Sequence, residues 1–85
     1  MKPLQIALAA RAVVQTITSK EPEVVSRCER QDPNWKVMVE VIETKARIDD
    51  NDLLASYEVE IDQHGELVGY ERVRRYKRAQ GVLTA

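Results

Sequence analysis

Hydrophobic positions along the chain change period once, near residue 22. From Pro3 to about Ser19, Ile6, Ala10, Val13 and Ile17 recur at helical spacing, with Leu4, Ala9 and Val14 widening the stripe. The segment is rich in Ala, Leu and Gln, has proline in its first turn and contains no glycine, so a helix is expected over about 3–19. Glu21-Pro22 ends it, because a proline disfavours helical geometry in the residue before it. Beyond Pro22 the period is two. Val24–Glu29 reads as a weak strand, and Gln31-Asp32-Pro33-Asn34 as a turn. Trp35–Glu43 alternates strictly, with Trp35, Val37, Val39 and Val41 on one face and Lys36, Met38, Glu40 and Ile42 on the other. Leu54–Ile61 alternates again, and Asp62-Gln63-His64-Gly65 fits a type I turn closed by a glycine bulge. With Asp62 facing Glu66, Leu67 pairs with Ile61, Gly69 with Val59 and Tyr70 with Glu58. The last strand runs to about Lys77, and 79–85 is expected to fray.

These elements predict a single α+β domain over 1–85: a helix on one face of a four-stranded antiparallel meander, with the sheet spanning about 24–77. The expected core beneath the helix is Trp35, Val37, Val39, Val41, Tyr57, Val59, Ile61 and Leu67, with Val73 beside them. Parity then places Met38, Glu40, Ile42, Glu58, Glu60, Val68, Tyr70, Arg72, Arg74 and Tyr76 on the second face. A two-layer domain leaves that face in water, yet tyrosine and arginine anchor interfaces well. Glu40, Glu58, Glu60, Tyr70, Arg72, Arg74, Tyr76 and Arg78 are therefore the candidate protein-binding face. Cross-strand charge pairs, such as Glu58 diagonal to Arg72, account for much of the same pattern structurally.

Composition narrows the function more than the fold. The chain has 85 residues, of which 44% are hydrophobic and 32% charged, so it holds one thin aliphatic core and no deep catalytic cavity. Net charge is −1, which steers it toward neither nucleic acid nor membrane. Arg72, Arg74, Arg75, Lys77 and Arg78 nevertheless cluster in the last strand. Alternation divides them between two faces, and the set on the second face meets Glu40, Glu58 and Glu60, so nucleic acid is a disfavoured partner. Cys28 is the one cysteine, which fits a reducing compartment, and no apolar run is long enough to span a bilayer. A cytoplasmic location is the expectation.

Catalytic chemistry finds no constellation. His64 stands alone in a turn, and Cys28 has no histidine in its neighbourhood of sequence to activate it. Asp49, Asp50, Asn51 and Asp52 lack the calcium-loop spacing and read as a solvated loop. The three glycines are scattered at 65, 69 and 81 and form no phosphate loop. No enzyme activity, cofactor or metal is expected.

Three blocks, Trp35–Glu43, Leu54–Leu67 and Tyr70–Arg78, resemble in order and spacing the gas vesicle protein O family. The resemblance covers about residues 22–78. It is carried by Trp35, the Tyr57-Glu58-Val59 segment, the Asp62/Gly65 turn and the Tyr/Arg ending. It implies a minor or accessory part in forming gas vesicles, through contacts with other gas vesicle proteins (the shell protein or fellow accessory proteins), with regulation of gene expression or a minor shell role as alternatives. It brings no catalytic activity or cofactor. The positions it singles out are Trp35, Glu40, Glu43, Tyr57, Glu58, Tyr70, Arg72, Arg75, Tyr76 and Arg78. Exposed edge strands permit strand addition, but nothing in the sequence selects a homo-oligomer.

Overall fold

In the computed structural model, which describes residues 2–48 and 51–78, one helix is followed by four strands. They are α1 (Pro3–Thr18), β1 (Glu21–Gln31), β2 (Asn34–Thr44), β3 (Leu53–Ile61) and β4 (Leu67–Lys77). The sheet is antiparallel throughout, in the order β1-β2-β3-β4. The expected helix-plus-meander is thus the observed architecture. The expected fraying of 79–85 and the Asp49-Asp50 part of the loop lie outside the described residues.

The helix begins at Pro3, where a missing N–H costs nothing, and the Lys2 N–H donates to Gln5 Oε1 at 3.0 Å. It ends at Ser19 in the left-handed conformation (φ 56°), whose N–H returns to the Gln15 carbonyl at 2.9 Å. Ile6, Ala10 and Val14, spaced by four, are its buried line. Leu4, which the sequence pattern adds to the stripe, is 71% exposed.

The buried line meets Val37, Val39 and Val41 of β2 and Ala55, Val59 and Ile61 of β3. Trp35 and Tyr57 are half-buried against this core, as are Val13, Val25 and Cys28. Burial raises the Cys28 thiol pKa, in keeping with a packing role. The helix packs across β1, β2 and β3. A helix with its side chains is about 10 Å wide and strands lie about 4.8 Å apart, so one helix cannot roof four strands.

The β1 strand is longer than the sequence indicates, and Pro22 sits buried within it opposite Val41. This is tolerable because β1 is an edge strand, with bulges at Pro22/Val24 and Val25/Arg27. The Asp62–Gly65 turn forms as expected: Asp62 N–H bonds the Glu66 carbonyl at 2.9 Å, and Gly65 takes φ 85°. Asp62 Oδ1 also accepts the His64 and Glu66 N–H groups.

The register of β4 departs from expectation. Leu67 does pair with Ile61, but a bulge at Val68 puts Gly69 opposite Glu60 and Tyr70 opposite Val59. Each inserted residue exchanges the two faces. Tyr70 and Arg72 therefore lie on the helix side of the sheet, not on the open side. A second bulge, at Val73, restores the expected parity, so Arg74 and Tyr76 do lie on the open side, opposite Ser56 and Leu54. Two expected core residues also fail to be buried: Leu67 is 40% and Val73 45% exposed, because β4 extends past the edge of the helix.

Candidate functional site

The proposed Tyr/Arg/Glu face is not one surface. Glu40, Glu58, Glu60, Arg74 and Tyr76 share the open face, Tyr70 and Arg72 the helix face, and Arg78 closes the end of β4. Two clusters result, each built around a glutamate of β2, and a third anchors the loop before β3.

On the open face, Glu40 is nearly fully buried. Small residues on both neighbouring strands make room for its carboxylate and supply donors. Oε2 accepts from Ser26 Oγ at 2.7 Å, while Oε1 accepts from Ser56 Oγ and from Tyr76 OH, the latter at 2.7 Å. Arg74 approaches Oε1 at 4.0 Å and lies over the Tyr76 ring at 4.4 Å. Burial, and next the hydrogen bond to the Glu40 anion, push the Tyr76 phenol up to about 12. Every strand of the sheet contributes to this cluster, which makes it a cross-tie.

Toward the turn end the open face is acidic. Glu58 pairs with Lys36 at 3.4 Å, not with Arg72, and it stands directly opposite Glu71. Glu60 accepts from Asn34 Nδ2 at 2.7 Å. Gly69 leaves open space beside them, since a Cβ there would meet nothing within 4 Å.

On the helix face, Glu43 is mostly buried between two arginines of β4. Arg75 Nη2 reaches its Oε1 at 2.8 Å, and Arg72 Nη1 its Oε2 at 3.6 Å. Oε2 is buried without a hydrogen bond. The arrangement flanks a cleft of about 380 Å3 lined by Tyr57, Tyr70, Arg72, Lys20 and the end of α1.

The third cluster was not legible as such in the sequence. Asp52, expected in a solvated loop, is completely buried. Oδ1 accepts the Ala46 N–H at 2.7 Å, and Oδ2 accepts from Lys45 Nζ at 3.4 Å and Arg78 Nη2 at 3.2 Å. Arg78 also donates its N–H to the Asp52 carbonyl at 3.0 Å and pairs with Glu23 of β1. The Ala46 N–H, foremost among these donors, holds the Asp52 carboxyl below its ordinary range. The one available signal was the coincidence of an aspartate ending a polar loop with an arginine ending the last strand.

The basic cluster of β4 is thus largely consumed internally: Arg72 and Arg75 by Glu43, Arg74 by Glu40, Arg78 by Glu23 and Asp52. Its hydrophobic residues are not. Leu67, Val68, Tyr70 and Val73 are 40–53% exposed, all on this one edge strand. Among the described residues, no group of three or more His, Cys, Asp or Glu is placed to hold a metal, and no helix is long and apolar enough to cross a membrane.

Comparison with known proteins gives a consistent family. The chain is 47% identical over 78 residues to gas vesicle protein O of Streptomyces sp. (strain CB03234), covering 92% of this chain and 61% of that protein. It is 35% identical over 69 residues to gas vesicle protein O1 of Halobacterium salinarum, covering 81% and 58% respectively. Gas vesicle protein O of Haloferax mediterranei is 31% identical over 70 residues, covering 81% and 50%. The chain therefore spans half to three-fifths of the length of these curated relatives. No solved structure matches. The family model described as gas vesicle synthesis protein GvpO matches residues 1–81, the helix and every strand included. The chain belongs to the gas vesicle protein O family.

Proposed function

We propose that this protein is a gas vesicle accessory factor that assists vesicle formation in the cytoplasm by binding other gas vesicle proteins, without catalysing a reaction. Family membership supplies the system. The observation that carries the binding role is the surface of β4, an edge strand whose four large hydrophobic side chains stay in water while its cations are engaged at home. Exposed apolar groups gathered on one element are a mark of interaction surfaces. Neutralised arginines, by contrast, are poor ligands for a phosphate backbone, so a nucleic-acid-binding regulator fits less well.

Deletion of the gene in its host tests the reading. Loss of flotation and of vesicles in electron micrographs, restored by the wild-type gene, is the expected result; a deletion strain that floats normally overturns it. Co-purification with washed, intact vesicles separates a resident minor component from a transient assembly factor. Salt-sensitive retention on DNA would favour the regulatory alternative.

A further inference from the structure

The helix-side cleft has a shape and a charge that the accessory role does not by itself explain. We propose that the space between α1 and β4 receives an amphipathic helix of a partner protein, with an aliphatic stripe that ends in an acidic side chain. Only the choice of partner rests on the gas vesicle reading; the cleft and its chemistry stand on geometry.

The helix α1 packs on β1, β2 and β3, and β4 projects beyond it. The uncovered strip is continuous with two adjoining hollows that share Ile17. One, of about 310 Å3, is apolar and lined by Ala12, Val13, Thr16, Ile17 and Leu67. The other is the Glu43 cleft, lined by Tyr57 and Tyr70 together with Lys20 and Arg72. The hollows follow α1 from Ala12 to Thr18 and on to Lys20 on one side, and β4 from Leu67 to Arg72 on the other. Ala12 and Thr16 are short side chains on the helical wall, and packed helices lie about 8–10 Å apart depending on the side chains at the contact, so short ones favour close approach.

The polar end selects charge. Arg72 and Arg75 pair with one carboxylate, Glu43, and Lys20 lines the same cleft, with no ion-pair partner among the described residues. Arg72 is ion-paired with Glu43 but shares it with Arg75 and stands 3.6 Å from Oε2, beyond hydrogen-bond distance, so the pair leaves part of the five-donor guanidinium for a second acid. An incoming carboxylate would complete a two-acid, two-arginine arrangement with Lys20 alongside. A strand is a poorer occupant, because bulges at Val68 and Val73 interrupt the free edge of β4. A second copy of α1 is poorer still: Arg11 is its one charged residue, and it has no acid to offer.

The test titrates overlapping peptides, tiled across the gas vesicle proteins encoded with this one, into the isotope-labelled full chain. The expected result is binding by an acidic amphipathic peptide, with resonance shifts confined to Ala12–Lys20 and Leu67–Arg72. Arg72→Glu should weaken it by about tenfold or more, and replacing the peptide's acid with arginine should restore binding to that variant. Leu67→Lys, whose side chain is already partly in water, weakens binding through the apolar end and guards against a folding artefact at Arg72. No binding by any peptide at about 1 mM, a range that covers even weak complexes, overturns the proposal. So do shifts on the open face, equal binding after the peptide's acid becomes lysine, or self-association of the free chain through this cleft. Flotation of the deletion strain reads the accessory role separately: lost vesicles with no binding peptide would leave that role standing and remove the cleft.

Discussion

Glu40 and Glu43 lie three residues apart on one strand, on opposite faces of the sheet, and both are largely enclosed. Their surroundings differ in completeness. Glu40 accepts three hydroxyl hydrogen bonds from β1, β3 and β4, with Arg74 outside them. Glu43 has two arginines from β4 alone and one buried oxygen without a hydrogen bond. A buried charge whose acceptor sites are all filled is a structural tie; one left partly unfilled beside a cleft is a place where another molecule can contribute. Charged clusters can thus be ranked by how completely the central carboxylate is already coordinated, and on this measure the Glu43 cluster is the more open of the two.

The largest expected effect follows from removing the completed tie. Glu40→Ala would take the acceptor from the buried Ser56 hydroxyl and the part-buried Tyr76 hydroxyl and lower stability by about 2–3 kcal/mol, read from urea unfolding. Tyr76→Phe, which takes away one donor to that anion, should cost about 1–2 kcal/mol. Glu43→Ala should cost about 1 kcal/mol or less, because both of its arginines are about half exposed and remain hydrated. An equal loss from Glu43→Ala and Glu40→Ala would erase the distinction between the two sites.

Two pH dependences are smaller in effect and more specific. The folded Tyr76 phenol has its pKa raised to about 12, so its contribution is fully present below the ordinary tyrosine value near 10 and is lost as pH climbs toward 12. Spectrophotometric titration should find this late ionisation, and Glu40→Gln should bring it down by removing the facing negative charge. Asp52 is the opposite case. Its pKa is lowered on folding, so its contribution is present above the ordinary aspartate range and is lost as pH falls through the depressed value. Asp52→Asn should flatten the acid side of the stability profile; an unchanged acid limb would mean that the loop anchor is not what acid disrupts.

Much of the fold was legible because its signals are local and repeated. The four-residue spacing of Ile6, Ala10 and Val14 and the alternation of Val37, Val39 and Val41 each identify an element and its buried face. The candidate face was legible only in part. Glu40, Arg74 and Tyr76 fell where parity put them, whereas Tyr70 and Arg72 did not, because Val68 and Val73 are each bulged out of the pairing. The local hint in Leu67-Val68-Gly69-Tyr70 is Gly69, since an isolated glycine in a strand pattern often marks a bulge, but it fixes neither the extruded residue nor the register. Asp52 was unreadable for a related reason: its burial depends on Arg78, 26 positions away.

By itself the residue order determined one helix, four strands, their sequence-adjacent pairing and the aliphatic core, since these follow from nearest-neighbour geometry and from removing apolar surface from water. Family membership was likewise readable in the strand blocks. Only the tertiary structure decided which way β4 presents its tyrosines and arginines, which carboxylates are completed and where a cleft stays open. Those outcomes turn on a shift of one residue between paired strands and on the width of one helix against four strands. Neither is a property of any single segment of the chain.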